Sequence, residues 1–135
     1  MKKFSSETIK TEHLANGKLK LLQAFSYGKY TVKKGYIFDG ASIPRAFWRF
    51  IGHPFSYKYI RSALIHDILC ESEIIPREDT DKLFREMLAK DRIEKWKISL
   101  MFRAVRASAW WTNNEHSPEV ARFALKHLKI NENTD

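Results

Sequence analysis

The chain has 135 residues, 44% hydrophobic and 13% aromatic, with a formal net charge of +8. That length fits one domain with its own core, in which roughly two-thirds of the unfolded surface is buried on folding. A single cysteine, Cys70, excludes an intramolecular disulfide framework, and no run of about 18 apolar residues exists to form a transmembrane helix.

Residues 1–16 are polar and expected to be loosely held. Met1 to Glu7 is basic, but no apolar stretch follows, so no signal peptide is expected and the cytoplasm is the expected compartment. Residues 19–26 read as a strand, Gly28 as a turn, and Tyr30 to Phe38 as a second strand with another turn at Lys34-Gly35. A hairpin or small sheet results. Pro44 suits the first position of a short helix, Arg45 to Ile51, which Gly52 ends. Ser56 can cap a helix from Tyr57 to Glu71. Pro76 opens the next helix, to Lys90, with Glu78, Asp79 and Asp81 near the positive end of its dipole. A long helix follows from Glu94 to Trp111 and breaks at Asn113-Asn114. Ser117-Pro118-Glu119 starts the last helix, to about Leu128, and residues 131–135 are expected to fray. The fold class is α+β: an N-terminal hairpin or small sheet, then four to five helices, in a single domain spanning 1–135.

Charge is uneven along this chain. Residues 1–66 hold 12 Lys/Arg against 3 Asp/Glu, and residues 67–135 hold 12 against 13. The asymmetry points to an anionic partner for the first half: nucleic acid, phospholipid headgroups or phosphate. Solubilising lysine explains it equally simply, because Lys2, Lys3, Lys10, Lys18, Lys20, Lys29, Lys33 and Lys34 are spread along the first 34 residues and form no compact cluster.

The helix from Tyr57 to Glu71 is apolar on most sides, so it is expected to be buried on most sides. Yet it carries His66 and Asp67. Neighbours on a helix point about 100° apart, so each needs a partner from another element. On the next helix Leu83, Phe84, Met87 and Leu88 form the apolar face, and Asp81 falls at its edge, about 20° from Leu88. If the two helices pack antiparallel across residues 72–75, Asp81 reaches His66. A carboxylate on one imidazole nitrogen fixes the tautomer and leaves the other as a base, the logic of a water-activating hydrolase. The same bond can instead simply satisfy two buried polar groups.

Three blocks stand in order: Phe38-Asp39-Gly40-Ala41-Ser42-Ile43-Pro44, then Ala63-Leu64-Ile65-His66-Asp67-Ile68-Leu69-Cys70, then Arg77-Glu78-Asp79-Thr80-Asp81-Lys82-Leu83-Phe84. Together they resemble the domain of unknown function 1353 family, which is widespread in phages and prophages and has no assigned activity. The His-Asp helix followed by Asp81-Lys82-Leu83-Phe84 is also similar to phospholipase A2, particularly its compact viral form. That resemblance implies His66 as general base, Asp81 as its orienting group and Asp67 as a calcium ligand. Departures are visible: the chain has no Gly-x-Gly loop, Cys70 stands where that pattern has tyrosine, and Thr80 replaces a small residue. Asp39, beside Gly40, is the nearest source of a further hard oxygen ligand.

Other constellations compete. A metal-dependent His-Asp phosphohydrolase needs a second upstream histidine and a distant aspartate, and His53 lies too close to His66. Ser42 is in no nucleophile elbow. Cys70 is i, i+4 to His66 and could pair with it, but reads more simply as a core thiol. No Cys/His set fits a structural zinc site. Ser99, Arg103, Arg106 and Trp110 make a stripe that suits nucleic acid or a solvated face. Phe47, Trp48 and Phe50 suit a bilayer contact or the core. Two functions from different classes emerge: a hydrolase of phospholipase A2 type, with calcium as cofactor and anionic phospholipid as partner, or a non-catalytic phage accessory protein that binds another phage or host protein.

Overall fold

The computed structural model describes residues 9–38, 57–112 and 117–131. The expected helix Arg45 to Ile51, the Ser56 cap, His53, the Phe47-Trp48-Phe50 cluster and Asp39 lie outside the described residues.

The strands depart from the sequence expectation. Residues 19–26 do not form one strand: β2 (Leu19–Leu21) and β3 (Phe25–Tyr27) belong to different sheets. Tyr30 to Phe38 divides in the same way into β4 (Tyr30–Val32) and β5 (Ile37–Phe38). β1 (Thr11–His13) adds a strand within residues expected to be loosely held. One antiparallel sheet has the order β1-β2-β5. The other joins β3 and β4 to β6 (Leu128–Ile130), which takes the three residues after the last helix. The split has a local cause. A two-residue turn at Gly28-Lys29 folds β3 onto β4, and Gly28 has φ 58°, the positive value that a type II′ hairpin needs at its first turn position. The turn at Lys34-Gly35 then returns the chain to the first sheet, where the Gly35 amide donates to the Leu21 carbonyl and Leu21 donates to the Tyr36 carbonyl.

The helices follow expectation closely: α1 (Tyr57–Ser72), α2 (Arg77–Lys90), α3 (Lys95–Thr112) and α4 (Pro118–His127). Pro76 precedes α2, and Glu78 and Asp79 stand in its first turn, as the dipole favours. Ser117 caps α4, its hydroxyl accepting from the Val120 amide, and Pro118 occupies the first turn. The fold is α+β, two small antiparallel sheets and four helices among the described residues. None of these helices is long and apolar enough to cross a membrane.

α1 is the centre of the packing, touching α2, α4, β4 and β5. Its Leu64, Ile65, Ile68 and Leu69 meet the inward residues of both sheets, among them Leu19, Leu21, Phe25, Val32 and Phe38. On its other side Tyr59 and Ala63 join Phe84 and Leu88 of α2 and Met101 and Val105 of α3. Burial on both sides explains why the sequence is apolar around most of this helix, and why its polar residues must find partners inside the protein.

Candidate functional site: a His66–Asp81 pair at the junction of three helices

α1 and α2 are joined by residues 73–76 and pack together. This brings His66 against Asp81, with Nε2 2.6 Å from Oδ1. His66 is 3% exposed and Asp81 0%. The Phe84 ring, one turn beyond Asp81, lies against the imidazole with centroids 4.8 Å apart. The expected pair is therefore formed by the expected helix packing.

Asp81 has more partners than the sequence suggested. Arg77, one turn earlier on α2, donates from Nε to Oδ1 at 2.9 Å. Arg106 of α3 donates from Nη1 to Oδ2 at 2.8 Å, and Arg77 also donates from Nη2 to the Val105 carbonyl at 3.1 Å. One buried carboxylate thus ties α1, α2 and α3 together. The Arg77 contact was legible as an i, i+4 spacing. Nothing local announces Arg106, which the stripe with Ser99 and Arg103 placed on a nucleic-acid or solvated face.

The charges settle the protonation of the pair. Burial alone would raise the Asp81 pKa, but the hydrogen bonds and charges of His66 and Arg77 together hold it below the ordinary carboxylate value. His66 is lowered as well, but for a different reason. Burial penalises the imidazolium, and Asp81 only partly offsets this, while Arg77 adds repulsion, so its pKa lies below the usual histidine value. Two guanidiniums already balance Asp81, and a third positive charge would find little compensation. Neutral His66 then donates Nε2–H to Asp81, which leaves the Nδ1 lone pair unprotonated.

Cys70, one turn along α1, is the nearest group to that lone pair. Its sulfur lies 3.8 Å from Nδ1 and 3.7 Å from Nε2. Nearly equal distances place it beside the ring, in contact and not in line with either nitrogen. Burial raises the thiol pKa well above its ordinary value, so the group is a thiol at neutral pH. Cys70 also lines a cleft of about 170 Å³ with Leu69, Glu73, Ile75 and Arg77. The cleft reaches the thiol, and the thiol separates it from the imidazole.

The ligand atoms of His66, Cys70 and Asp81 all lie within 4.8 Å of one another, a grouping the sequence reading did not anticipate. Chemically it is a poor metal centre. Nε2 is bonded directly to the carboxylate, and two guanidiniums already neutralise Asp81, so a cation there meets repulsion.

Asp67 is 8% exposed and points away from the pair, as adjacent helical residues must. Its charge and that of Glu71, one turn on, both raise the pKa of Tyr36, after burial itself, and the Tyr36 hydroxyl donates to Glu71 Oε1 at 2.5 Å. Calcium takes six to eight oxygens. The described residues offer the Asp67 carboxylate and a Glu71 carboxylate already engaged by Tyr36, and Asp39 lies outside them. Among the described residues these two carboxylates supply fewer oxygens than calcium takes, and the imidazole and Asp81 are the groups on which a step at His66 can be argued.

Residues 19–105 match the family described as Protein of unknown function (DUF1353), which includes every residue of the cluster save Arg106. The chain belongs to this family. It is 38% identical over 77 residues to the uncharacterized protein y4jT of Sinorhizobium fredii (strain NBRC 101917 / NGR234), covering 57% of this chain and 23% of that protein. It is 39% identical over 69 residues to the uncharacterized protein y4iH of the same strain, covering 51% of this chain and 29% of that protein. The chain therefore aligns with under a third of the length of these relatives. No solved structure matches it.

Proposed function

We propose that this domain is an ester-cleaving hydrolase in which His66 is the general base and Asp81 its orienting group. The observation that carries this reading is the 2.6 Å contact between Nε2 and Asp81, with Nδ1 left as a lone pair beside Cys70. The depressed pKa keeps the imidazole in its basic form at neutral pH. In the reaction Nδ1 takes a proton from water, the hydroxide attacks the ester carbonyl, and the imidazolium is stabilised through Nε2–H by Asp81. Its proton then passes to the leaving alkoxide. Arg77, at the cleft wall, is placed to hold an anionic group of the substrate. For His66 to meet water from the cleft, the Cys70 side chain must rotate aside. The resemblance to phospholipase A2 suggests phospholipid esters in a phage or prophage setting.

A second reading rests on a different observation. His66 and Asp81 are sealed, and both oxygens of Asp81 are taken by donors from α1, α2 and α3. This supports a non-catalytic phage accessory protein, in assembly or host interaction, whose polar cluster locks the helices.

The test is fatty-acid release from mixed anionic vesicles, with calcium and with chelator, for the wild type and His66→Ala. Release that disappears in a folded His66→Ala supports the hydrolase; its response to chelator decides whether Asp67 serves a metal. No release from wild type, with a folded but less stable mutant, supports the structural reading.

A further inference from the structure

The uneven charge of the sequence has a local expression on the sheet β3-β4-β6. Along β3 and β4 the buried residues Phe25, Tyr27, Tyr30 and Val32 face the core, so by alternation Ser26 and Thr31 face outward. The register continues this outward row across three strands, Ser26 opposite Thr31 and Thr31 opposite Lys129. Lys33 follows on the same side of β4. Lys34 lies at the next turn, and Lys29 stands at the Gly28-Lys29 turn at the other end. All four lysines are exposed. Among the described residues none of them is in a salt bridge within 4 Å, and residues 25–34 and 128–131 include no Asp or Glu.

The floor between the lysines is built of donors. Asn131 Nδ2 donates to Thr31 Oγ1 at 2.9 Å, and Thr31 Oγ1 lies 2.7 Å from Ser26 Oγ. Either hydroxyl can donate in the Ser26–Thr31 bond, and in both cases the proton of the other remains for an external acceptor. Lys29 to Lys33 spans about 13 Å of strand. The lysines are thus too far apart to converge on one small anion. Along the axis of a duplex, that length holds about four phosphates of one strand.

We propose that this outer sheet face binds the phosphodiester backbone of a nucleic acid without reading its bases. No aromatic side chain occupies the outward row, so the face has no platform for base stacking. Nor does it carry an apolar side chain to insert among acyl chains, which argues against a bilayer as its partner. The site is separate from His66, and binding here requires no catalysis there.

The test is anisotropy of a labelled mixed-sequence 20-base-pair DNA duplex between 50 and 200 mM salt. Four lysine contacts imply a log–log slope of about −3.6, or roughly 100-fold weaker binding over that range. The double variant Lys33→Gln/Lys129→Gln should lower the slope by about 2. Lys82→Gln, whose lysine pairs with Glu78 on α2, should leave it unchanged. A wild-type slope in the double variant would place the binding on other lysines and overturn the proposal. So would no duplex binding at 50 mM salt, or tighter binding to phosphatidylglycerol vesicles that the double variant abolishes.

Discussion

Replacing Asp81 by alanine removes the one carboxylate that three side chains share, and the structure allows the cost to be worked out. Breaking a buried ion pair by deleting one partner costs about 3–5 kcal/mol, because the other charge stays buried and unpaired. The two guanidiniums differ in how far they can recover. The Arg106 side chain is 39% exposed and can return to water, so its contribution is heavily screened. The Arg77 side chain is only 15% exposed and retains one partner, the Val105 carbonyl. Neutral His66 loses its acceptor in a sealed position, which adds the cost of one unsatisfied buried donor, about 1–3 kcal/mol. Because these contributions overlap, a net loss of about 3–4 kcal/mol is expected. With an m-value of about 1.5 kcal/mol/M, urea unfolding followed by circular dichroism should show a midpoint lower by about 2 M. A double-mutant cycle should give stronger coupling of Asp81 to Arg77 than to Arg106. A midpoint shift below about 0.5 M at unchanged m would refute the view that this carboxylate ties the three helices together.

The acid limb of stability should carry the signature of His66. Its folded pKa lies below the ordinary 6.5, so the unfolded chain takes up the proton first, and stability falls as pH drops from about 6.5 through the folded value. Asp81, held below 3.8 in the fold, adds its loss as pH falls from about 3.8 through its folded value. Urea midpoints for His66→Gln should vary less between pH 7 and 5 than those of wild type, and equal variation would contradict the assignment. Tyr36→Phe removes a buried hydroxyl from Glu71 and should cost about 1–2 kcal/mol in the same assay; a neutral result would mean that water replaces the bond without loss. Ser117→Ala deletes the α4 cap and should cost about 1 kcal/mol, with faster amide exchange at Val120 as the local readout. Burial keeps Cys70 protonated, so native protein at pH 8 should react with iodoacetamide at least about tenfold more slowly than protein unfolded in urea.

The helices were legible because their signals are local. Pro76, Ser117-Pro118 and the apolar periodicity act within a turn or two, and the observed bounds fall within one or two residues of those expected. The His66–Asp81 contact was legible for a related reason. A short connection between two helices leaves few registers, and placing Leu83, Phe84 and Leu88 in the core carries Asp81 toward His66. The sheets were not legible in the same way. A strand of three residues has little pattern of its own, and which strand it joins depends on chain that arrives much later: β4 finds β6 only after α1 to α4 have folded back. The same holds for Arg106, whose stripe on α3 looks solvent-facing until α3 packs on α2 and Asp81 is found beneath it. Local pattern was enough to place the helix ends, to require that α1 be buried, and to require partners for His66 and Asp67. Only the closed fold divides the strands between two sheets and brings Arg106 to Asp81. Both rest on contacts between residues far apart in the chain, whose free energy appears only once the core has closed around them.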